Sequence, residues 1–349
     1  MTAPETVPVL PQHRFDVAKL AAYLDEHLPD YGSDFELGQF QGGQSNPTFL
    51  LTFGERRLVL RKKPPGDLLR GAHQVEREFK VMRALGTSAV PVPKMHVLCD
   101  DAEVIGTSFF IMDYVPGRLS AEPNLPDIRQ SSRKSLWLSM ARVLGKLHQV
   151  DWRGAGLEGF GKPEGYVARQ LKTWTRQYEA SKTQEMPAMD KLIARLQARL
   201  PEDEAATIVH GDFRPGNMIF AEGGDEVAAV LDWELSTIGH PLADLGYFCM
   251  PYRVPAEVPG VKGVDGLDLA AEGLPSRTEV VEAYCAVRGI TAPDNLDYFT
   301  AFALFRLTAI VQGVYARALQ GNASHADALK VGERASFLAE CGWSLASRL

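Results

Sequence analysis

The chain has 349 residues, and its 37 lysines and arginines against 44 aspartates and glutamates give a net charge of −7 at pH 7. This length is sufficient for two domains or lobes, since domains commonly have roughly 100–200 residues. The acidic balance lacks the excess of positive charge that binding to phosphate backbones needs, so we expect no nucleic-acid partner.

The apolar runs and cysteines give expectations about location. Residues 1–15 contain no basic segment followed by an apolar run, which is unlike a secretory signal peptide. The stretch nearest to a membrane span, Tyr298–Leu319, is interrupted by Arg306 and Arg317. The four cysteines form no C-x-x-C pair, which argues against a zinc site or a disulfide framework. We therefore expect a cytoplasmic protein without a membrane partner.

The first part of the chain predicts a small antiparallel sheet with helices. Val17, Leu20 and Leu24 recur at helical spacing after Asp16, a residue type that caps helix N-termini. An amphipathic helix is expected at Val75–Leu85, between runs of β-forming residues. The predicted strands are Phe49–Phe53, Leu58–Arg61, Lys94–Cys99 and Thr107–Tyr114.

Long helical patterns dominate after Pro116 and Gly117, and we divide the chain here into an N-terminal lobe, 1–114, and a C-terminal lobe, 115–349. We expect helices at 131–150, 163–181, 187–200, 276–288, 294–320 and 323–347. Three short β-rich runs lie among them, at Thr207–Val209, Met218–Phe220 and Val227–Leu231. The predicted fold class is α+β, with a small sheet lobe and a mostly helical lobe.

The strongest functional signal is the segment His210–Asn217, followed by an apolar strand that ends at Asp232. Asn217 follows Asp212 by five residues and Asp232 follows Asn217 by fifteen, the spacing of a kinase catalytic loop and its magnesium aspartate. Transfer of a γ-phosphoryl group needs an acceptor for the hydroxyl proton, which suits Asp212, and hard oxygen ligands for Mg²⁺, which suit Asn217 and Asp232. Each residue alone is also typical of a turn or a strand end, but the combination favours the catalytic interpretation.

A glycine-rich segment lies between two strand patterns of the N-terminal lobe. Its glycines would let backbone N–H groups approach phosphates, although such a segment is equally typical of a hairpin turn. The candidate nucleotide-binding residues here are Gly42, Gly43, Gln44, Ser45 and Asn46.

The next strand supplies a candidate cation for the nucleotide phosphates. Arg61 shares one strand face with Val59, at the position of the strand lysine of kinases, and Lys62 is the alternative for that charge. Glu78 in the next helix is the expected counter-ion, because Glu76 lies on a different helix face. A solvated charged surface is the structural alternative.

With these motifs, the sequence resembles the aminoglycoside phosphotransferase and choline kinase family over about residues 35–320. The resemblance implies a bilobal protein-kinase-like fold, the use of ATP and Mg²⁺, and a hinge strand whose backbone at Asp113 and Val115 binds adenine. It implies Asp212 as the general base and Asn217 and Asp232 as metal ligands. Segments 60–66, 75–78 and 231–244 resemble the subgroup fused to acyl-CoA dehydrogenases, but the chain has no room for a flavin domain and we expect no dehydrogenase activity.

The sequence departs from the protein-kinase pattern at several positions. Asp232-Trp233-Glu234 replaces D-F-G, and Gly211 replaces the arginine of H-R-D. We expect no regulation by loop phosphorylation, since no long activation loop follows. The resemblance implies that Asp244 supports the catalytic loop. A match to G-x-G-x-x-G at Gly154–Gly159 follows a helix rather than a strand and therefore predicts an ordinary loop.

The acceptor is expected near Asp212, where Arg214 and Glu234 are the candidates for touching it because each lies two residues from a catalytic aspartate. We expect an ATP- and Mg²⁺-dependent phosphotransferase that acts on a hydroxyl of a small metabolite, with a hydroxyacyl-CoA as the candidate from the subgroup resemblance. The alternatives are an aminoglycoside or amino-alcohol kinase and a catalytically silent nucleotide-binding module. One predicted helix carries a stripe of cations, formed by Arg169, Lys172 and Arg176. This cation stripe would suit an anionic acceptor, although a solvated basic face is the simpler interpretation.

Overall fold

The computed structural model of the chain describes residues 6–41, 46–64, 74–202, 206–257, 262–320 and 328–349. Its internal contacts divide the chain into two compact units. The first unit comprises Met1–Gly117 and Ala228–Leu235, and the second comprises Arg118–Val227 and Ser236–Leu349.

The first unit is built on an antiparallel sheet of six described strands in the order β1-β2-β3-β4-β6-β5. The strands are β1 (Thr6–Val7), β2 (Glu36–Phe40), β3 (Thr48–Phe53), β4 (Arg56–Lys62), β5 (Met95–Cys99) and β6 (Phe109–Asp113). The helices are α1 (Val17–His27), α2 (Val75–Leu85) and α3 (Ala102–Ile105).

Strand β4 shows how the sequence sets the two faces of this sheet. Leu58 and Leu60 are fully buried in the core cluster that also contains Leu20 and Leu24 of α1. Side chains alternate along a strand, so Arg61 lies on the other face. Asp16 caps α1 as predicted, since its carboxylate accepts hydrogen bonds from the backbone at the start of that helix.

The second unit is mostly helical. Its described helices are α4 (Gln130–Leu147), α5 (Tyr166–Ser181), α6 (Pro187–Ala198), α7 (Pro241–Phe248), α8 (Arg277–Arg288), α9 (Leu296–Leu319) and α10 (Ala328–Ala346). Strands β7 (Thr207–Val209) and β10 (Thr237–Gly239) form an antiparallel pair. Strand β8 is Met218–Phe220, and β9 (Val227–Val230) begins in the second unit and ends in the first.

The predicted helices and strands are present with ends shifted by a few residues, except that the start of the last predicted helix, 323–327, lies outside the described residues. Helix α7 and strand β10 were not predicted. Gly154–Gly159 lies among turns that follow α4, which confirms the prediction of a loop.

The predicted division of the chain is corrected in two respects. The first boundary lies after Gly117 rather than after residue 114, and Ala228–Leu235 groups with the first unit rather than with 115–349. The physical reason is bonding within the first unit. Val230 N–H donates to the main-chain oxygen of Pro91 at 2.9 Å, and Arg61 forms an ion pair with Asp232.

Helix α9 is long and apolar enough to cross a membrane, with a mean hydropathy of 1.4 over its most apolar window. Of that window, 61% is buried inside the protein, where α9 contacts α5, α6, α7 and α10. The packing of α9 against its neighbouring helices therefore explains why this helix is apolar.

Helix α7 packs closely on α9 at Gly246. A Cβ at this position would lie 2.5 Å from the main-chain carbon of Phe299, which is too close for carbon atoms. We expect Gly246→Ala to push the helices apart and to lower the free energy of unfolding by about 1–3 kcal/mol, the usual cost of overpacking. Urea denaturation followed by circular dichroism measures this change.

Gly313 of α9 provides a matched control. A Cβ there would meet only the end of the Arg317 side chain, at 3.7 Å. Gly313→Ala should leave stability unchanged or raise it by up to about 1 kcal/mol, since alanine favours a helix over glycine. Equal losses in the two variants would contradict the explanation by close packing.

Candidate active site

The segment His210–Asn217 follows β7 as a loop and ends in one turn of 3-10 helix, Pro215–Asn217. The Asp244 carboxylate on α7 fixes its backbone, because it accepts hydrogen bonds from His210 N–H at 2.6 Å and from Gly211 N–H at 2.9 Å. Gly211 has a φ of 86°, a left-handed conformation that favours glycine. This conformation explains the glycine in place of the kinase arginine, and the contacts confirm that Asp244 supports the loop.

Asp244 is buried beside His148, at the C-terminal end of α4. Nε2 of His148 lies 3.5 Å from Oδ2 of Asp244, and its Nδ1 lies 2.8 Å from the hydroxyl of Tyr284 on α8. Burial lowers the pKa of His148, although the Asp244 carboxylate acts in the opposite direction. Burial alone would raise the pKa of Asp244, but the hydrogen bonds and histidines around the carboxylate outweigh it and hold the pKa below its usual value.

Asp212 receives donors on both of its carboxylate oxygens. Asn217 donates from Nδ2 to Oδ2 at 2.8 Å, and Arg214 Nε lies 3.3 Å from the same oxygen. The Tyr247 hydroxyl donates to Oδ1 at 2.5 Å. Burial alone would raise the pKa of Asp212, but Arg214, Tyr247 and the other neighbouring groups outweigh it and keep the pKa below its usual value. Asp212 is therefore ionised at neutral pH, as a proton acceptor must be.

Two residues at this loop were not predicted, Tyr247 and Arg306. Arg306 of α9 donates to the main-chain oxygen of Gly211, and its guanidinium carbon lies 5.8 Å from the ring centroid of Tyr247 and 5.9 Å from that of Trp174. The sequence pattern that could have identified Arg306 is a charged residue within an apolar helical run. The pattern that could have identified Tyr247 is its spacing of three residues from Asp244, which places both side chains on one side of a helix.

In the first unit, the structure brings Arg61 and Glu78 together as predicted. Arg61 Nε lies 3.1 Å from Glu78 Oε2, and Arg61 Nη2 lies 3.1 Å from Asp232 Oδ1. Asn46 Nδ2 donates to Glu78 Oε1 at 2.9 Å. The Glu78 side chain is 1% exposed, and this burial raises its pKa to about 7, although Arg61 acts in the opposite direction.

The alternative cation, Lys62, is separated from this group by the strand. It is 3% exposed, its Nζ lies 5.8 Å from the ring centroid of Phe15, and burial lowers its pKa. Glu76 forms an ion pair with Lys63 instead of joining Glu78, as expected from its helix face. Among the described residues, Arg61 is therefore the cation that pairs with Glu78 from this strand.

Three acidic side chains of the first unit converge. One carboxylate oxygen each from Glu78, Asp232 and Glu234 lies within 4.8 Å of the others. Asp232 has a φ of 62°, an uncommon conformation for a residue with a side chain. Glu234, predicted to touch the acceptor, thus lies beside the predicted metal ligand Asp232, and its contact with an acceptor stays a prediction. Asn217, the other predicted ligand, belongs to the second unit.

The predicted adenine-binding strand is β6, which ends at Asp113. The Asp113 carboxylate lies 2.5 Å from Nε2 of His96, so its side chain is already paired. Adenine binding by the backbone of Asp113 and Val115 stays a prediction. Gly42, Gly43, Gln44 and Ser45 lie outside the described residues, and Asn46 is the one member of that segment placed by the structure.

A cavity of about 320 Å³ lies beside the His210–Asn217 loop within the second unit. Its described lining combines apolar and charged side chains: Phe213, Phe248, Met250, Arg214, Lys262 and Glu122. Arg214 lines this cavity, and its contact with an acceptor stays a prediction. Lys262 forms an ion pair with Glu122. The predicted cation stripe on α5 supplies none of these lining residues.

This arrangement agrees with comparison to known families. Residues 36–284 match the model of the phosphotransferase enzyme family. The chain belongs to this phosphotransferase family. The kinase-type loop, its supporting aspartate and the Arg61–Glu78 pair are therefore features of a phosphotransferase family member.

Similar proteins support the same assignment. Acyl-CoA dehydrogenase family member 10 of Mus musculus is 43% identical over 346 residues, which cover 99% of this chain but 32% of the mouse protein. The phosphotransferase chain thus spans about a third of the length of that relative. The resemblance to the subgroup that occurs with acyl-CoA dehydrogenases is confirmed.

Solved structures confirm the α+β, kinase-like fold. A crystal structure from Ralstonia eutropha, provisionally assigned as an aminoglycoside phosphotransferase, matches with a TM-score of 0.87 and 39% identity, covering 96% of this chain and 99% of that one. A thermostable mutant of an aminoglycoside phosphotransferase, solved with AMP-PNP and hygromycin B, matches with a TM-score of 0.61 and 14% identity over 95% of this chain and 100% of that one. The second likeness concerns the fold alone.

Proposed function

We propose that the protein transfers the γ-phosphoryl group of ATP to a hydroxyl group of a small metabolite. The observation that carries this proposal is the Asp212 carboxylate, which accepts hydrogen bonds on both oxygens. Its partner Tyr247 and its neighbours Phe213 and Arg214 line a cavity large enough for part of a small molecule. A positioned carboxylate of this kind suits the orientation and deprotonation of an attacking hydroxyl.

In the proposed reaction, the acceptor oxygen forms a bond to the γ-phosphorus while the bond from that phosphorus to the bridging oxygen of ADP breaks. The hydroxyl proton passes to the Asp212 carboxylate. Positioning and charge stabilisation account for most of the rate in phosphoryl transfer, since the protein forms no covalent bond to the phosphate.

We propose that Arg61 binds the nucleotide phosphates and that Glu78 orients its guanidinium group. Arginine keeps the positive charge of the kinase lysine and can bind phosphate oxygens through two N–H groups. The solved relative with AMP-PNP supports nucleotide use by this fold.

The donor groups near Asp232 fit Mg²⁺, which prefers carboxylate and carbonyl oxygens. We propose Asp232 as a ligand, with Glu234 of the same unit as a further oxygen donor. The role of Asn217 as a ligand stays a prediction from the sequence. Asn217 uses its amide nitrogen to bond Asp212, and this leaves the amide oxygen for a cation. When bound, Mg²⁺ would neutralise charge on the transferred phosphate.

For the acceptor, we propose a hydroxyacyl-CoA. The cavity beside the His210–Asn217 loop has an apolar wall for an acyl chain. Its cations, Arg214 and Lys262, pair with Asp212 and Glu122 and would have to contact an anionic group from within these ion pairs. The relative described as an acyl-CoA dehydrogenase points to the same substrate class. The Ralstonia structure favours the alternative, an aminoglycoside or amino-alcohol acceptor. Its amine would have to compete with Lys262 for Glu122, the carboxylate that lines the cavity.

A screen of ATP consumption tests the function and the acceptor together. The protein with MgATP is offered hydroxylated acyl-CoAs, amino alcohols, aminoglycosides and sugars, and ADP release is followed by a coupled assay. We expect turnover with a hydroxyacyl-CoA and formation of a phosphate ester detectable by mass spectrometry. MgATP binding without slow hydrolysis and without turnover of any acceptor would instead indicate a silent nucleotide-binding module.

We also propose that the protein acts in the cytoplasm, without nucleic-acid or membrane partners. The net charge of −7 supports the absence of a nucleic-acid partner. Fractionation of cells that express the tagged protein tests it.

A further inference from the structure

Helix α7 holds the catalytic loop at two points. Asp244 accepts hydrogen bonds from the loop backbone, and Tyr247, three residues later on the same side of the helix, donates to the Asp212 side chain. The backbone and the reacting carboxylate are therefore fixed by one rigid element. Gly246 lets that element lie against α9.

Arg306 lies over the Tyr247 ring. Its guanidinium lies near both the Tyr247 and Trp174 rings and donates to the main-chain oxygen of Gly211. The three contacts restrict Arg306, and Arg306 in turn restricts the Tyr247 ring. The Tyr247 hydroxyl is thus directed at Asp212 without depending on a ligand.

The two oxygens of Asp212 differ in how many donors they receive. Oδ2 accepts hydrogen bonds from Asn217 and Arg214, whereas Oδ1 accepts one from Tyr247. A carboxylate oxygen accepts about two hydrogen bonds, so Oδ1 keeps one position for a further donor. Tyr247 also lines the cavity beside the loop.

From this arrangement we propose that Tyr247 is a positioning residue that fixes the plane of the Asp212 carboxylate and directs the acceptor hydroxyl to Oδ1. This inference rests on the proposed function, in which Asp212 accepts the hydroxyl proton. Without the tyrosine hydroxyl, the carboxylate can rotate about its Cβ–Cγ bond, and fewer encounters place a lone pair opposite the attacking hydroxyl.

Tyr247→Phe tests the proposal, with MgATP hydrolysis by water as the assay and any acceptor from the screen as a second substrate. We expect kcat to fall by about 10- to 100-fold, in line with loss of a hydrogen bond to a charged group, while KM for MgATP changes less than about twofold. Tyr298→Phe is the matched control, because it removes a buried hydroxyl that donates to the main-chain oxygen of Leu196 at 3.0 Å. Its kcat should equal that of the wild type.

A double-mutant cycle separates positioning from general stability. In the Asp212→Asn background, Tyr247→Phe should lower kcat no further, and the shifts in urea midpoint of the two single variants should not add in the double variant. Additive midpoint shifts, or wild-type kcat in Tyr247→Phe beside an inactive Asp212→Asn, would overturn the proposal and leave the proposed function standing. Wild-type activity in Asp212→Asn would overturn both.

Discussion

Asp212→Asn should lower the rate of acceptor phosphorylation by about 10²- to 10⁴-fold, the range that general-base catalysis contributes. Asparagine has almost the same shape as aspartate, so Asn217 and Tyr247 lose little packing, but the amide accepts no proton. The loss should therefore fall on kcat, with KM for MgATP little changed. Steady-state kinetics with the acceptor found in the screen measures both constants.

Asp294→Asn is the control for this prediction. Asp294 is an exposed aspartate of the same unit that lies before α9. The same chemical change there should leave kcat and KM at their wild-type values. Unchanged activity in Asp212→Asn, in a sample whose thermal midpoint matches that of the wild type, would show that Asp212 is not the proton acceptor.

Arg61→Met should weaken MgATP binding by about 10- to 100-fold, because charge-assisted hydrogen bonds contribute about 1.5–3 kcal/mol each. The variant also leaves buried Glu78 without its cation, so we expect a lower thermal midpoint in the absence of nucleotide. Isothermal titration calorimetry with MgATP measures the affinity, and differential scanning calorimetry measures the midpoint.

Lys62→Met provides the comparison from the adjacent position of the same strand. Lys62 faces the core side of the sheet and forms no ion pair with a described residue. Replacing its ammonium by an apolar group removes a desolvated charge, so stability should be maintained or increased. MgATP affinity should change less than about twofold. If Lys62→Met lost affinity and Arg61→Met did not, the assignment of the phosphate cation would be reversed.

Much of the first unit was predictable because its signals are local. Alternation along β4 predicted that Arg61 lies on the side opposite to Leu58 and Leu60, and the spacing in α2 predicted that Glu78 rather than Glu76 meets it. Periods of two and 3.6 residues determine which face a side chain occupies before any tertiary contact is known.

The remaining site residues depend on packing that has no local pattern. Tyr247 reaches Asp212 because α7 lies against α9, and Arg306 reaches Gly211 from a helix almost a hundred residues away in the sequence. Helix α7 has eight residues and few polar positions, so its periodicity was too short to predict it. The grouping of Asp232 with the first unit is likewise a tertiary property.

The grouping of Ala228–Leu235 with Met1–Gly117 has a consequence for inheritance of the first unit. A recombination event that exchanged residues 1–117 alone would bring a new Arg61 and Pro91 to the old Asp232 and Val230. Both contacts would then join residues of different parentage. The main-chain bond does not depend on side-chain identity, whereas the Arg61–Asp232 ion pair does. We therefore expect exchange to be tolerated best when the two stretches are transferred together or when both parents carry this ion pair.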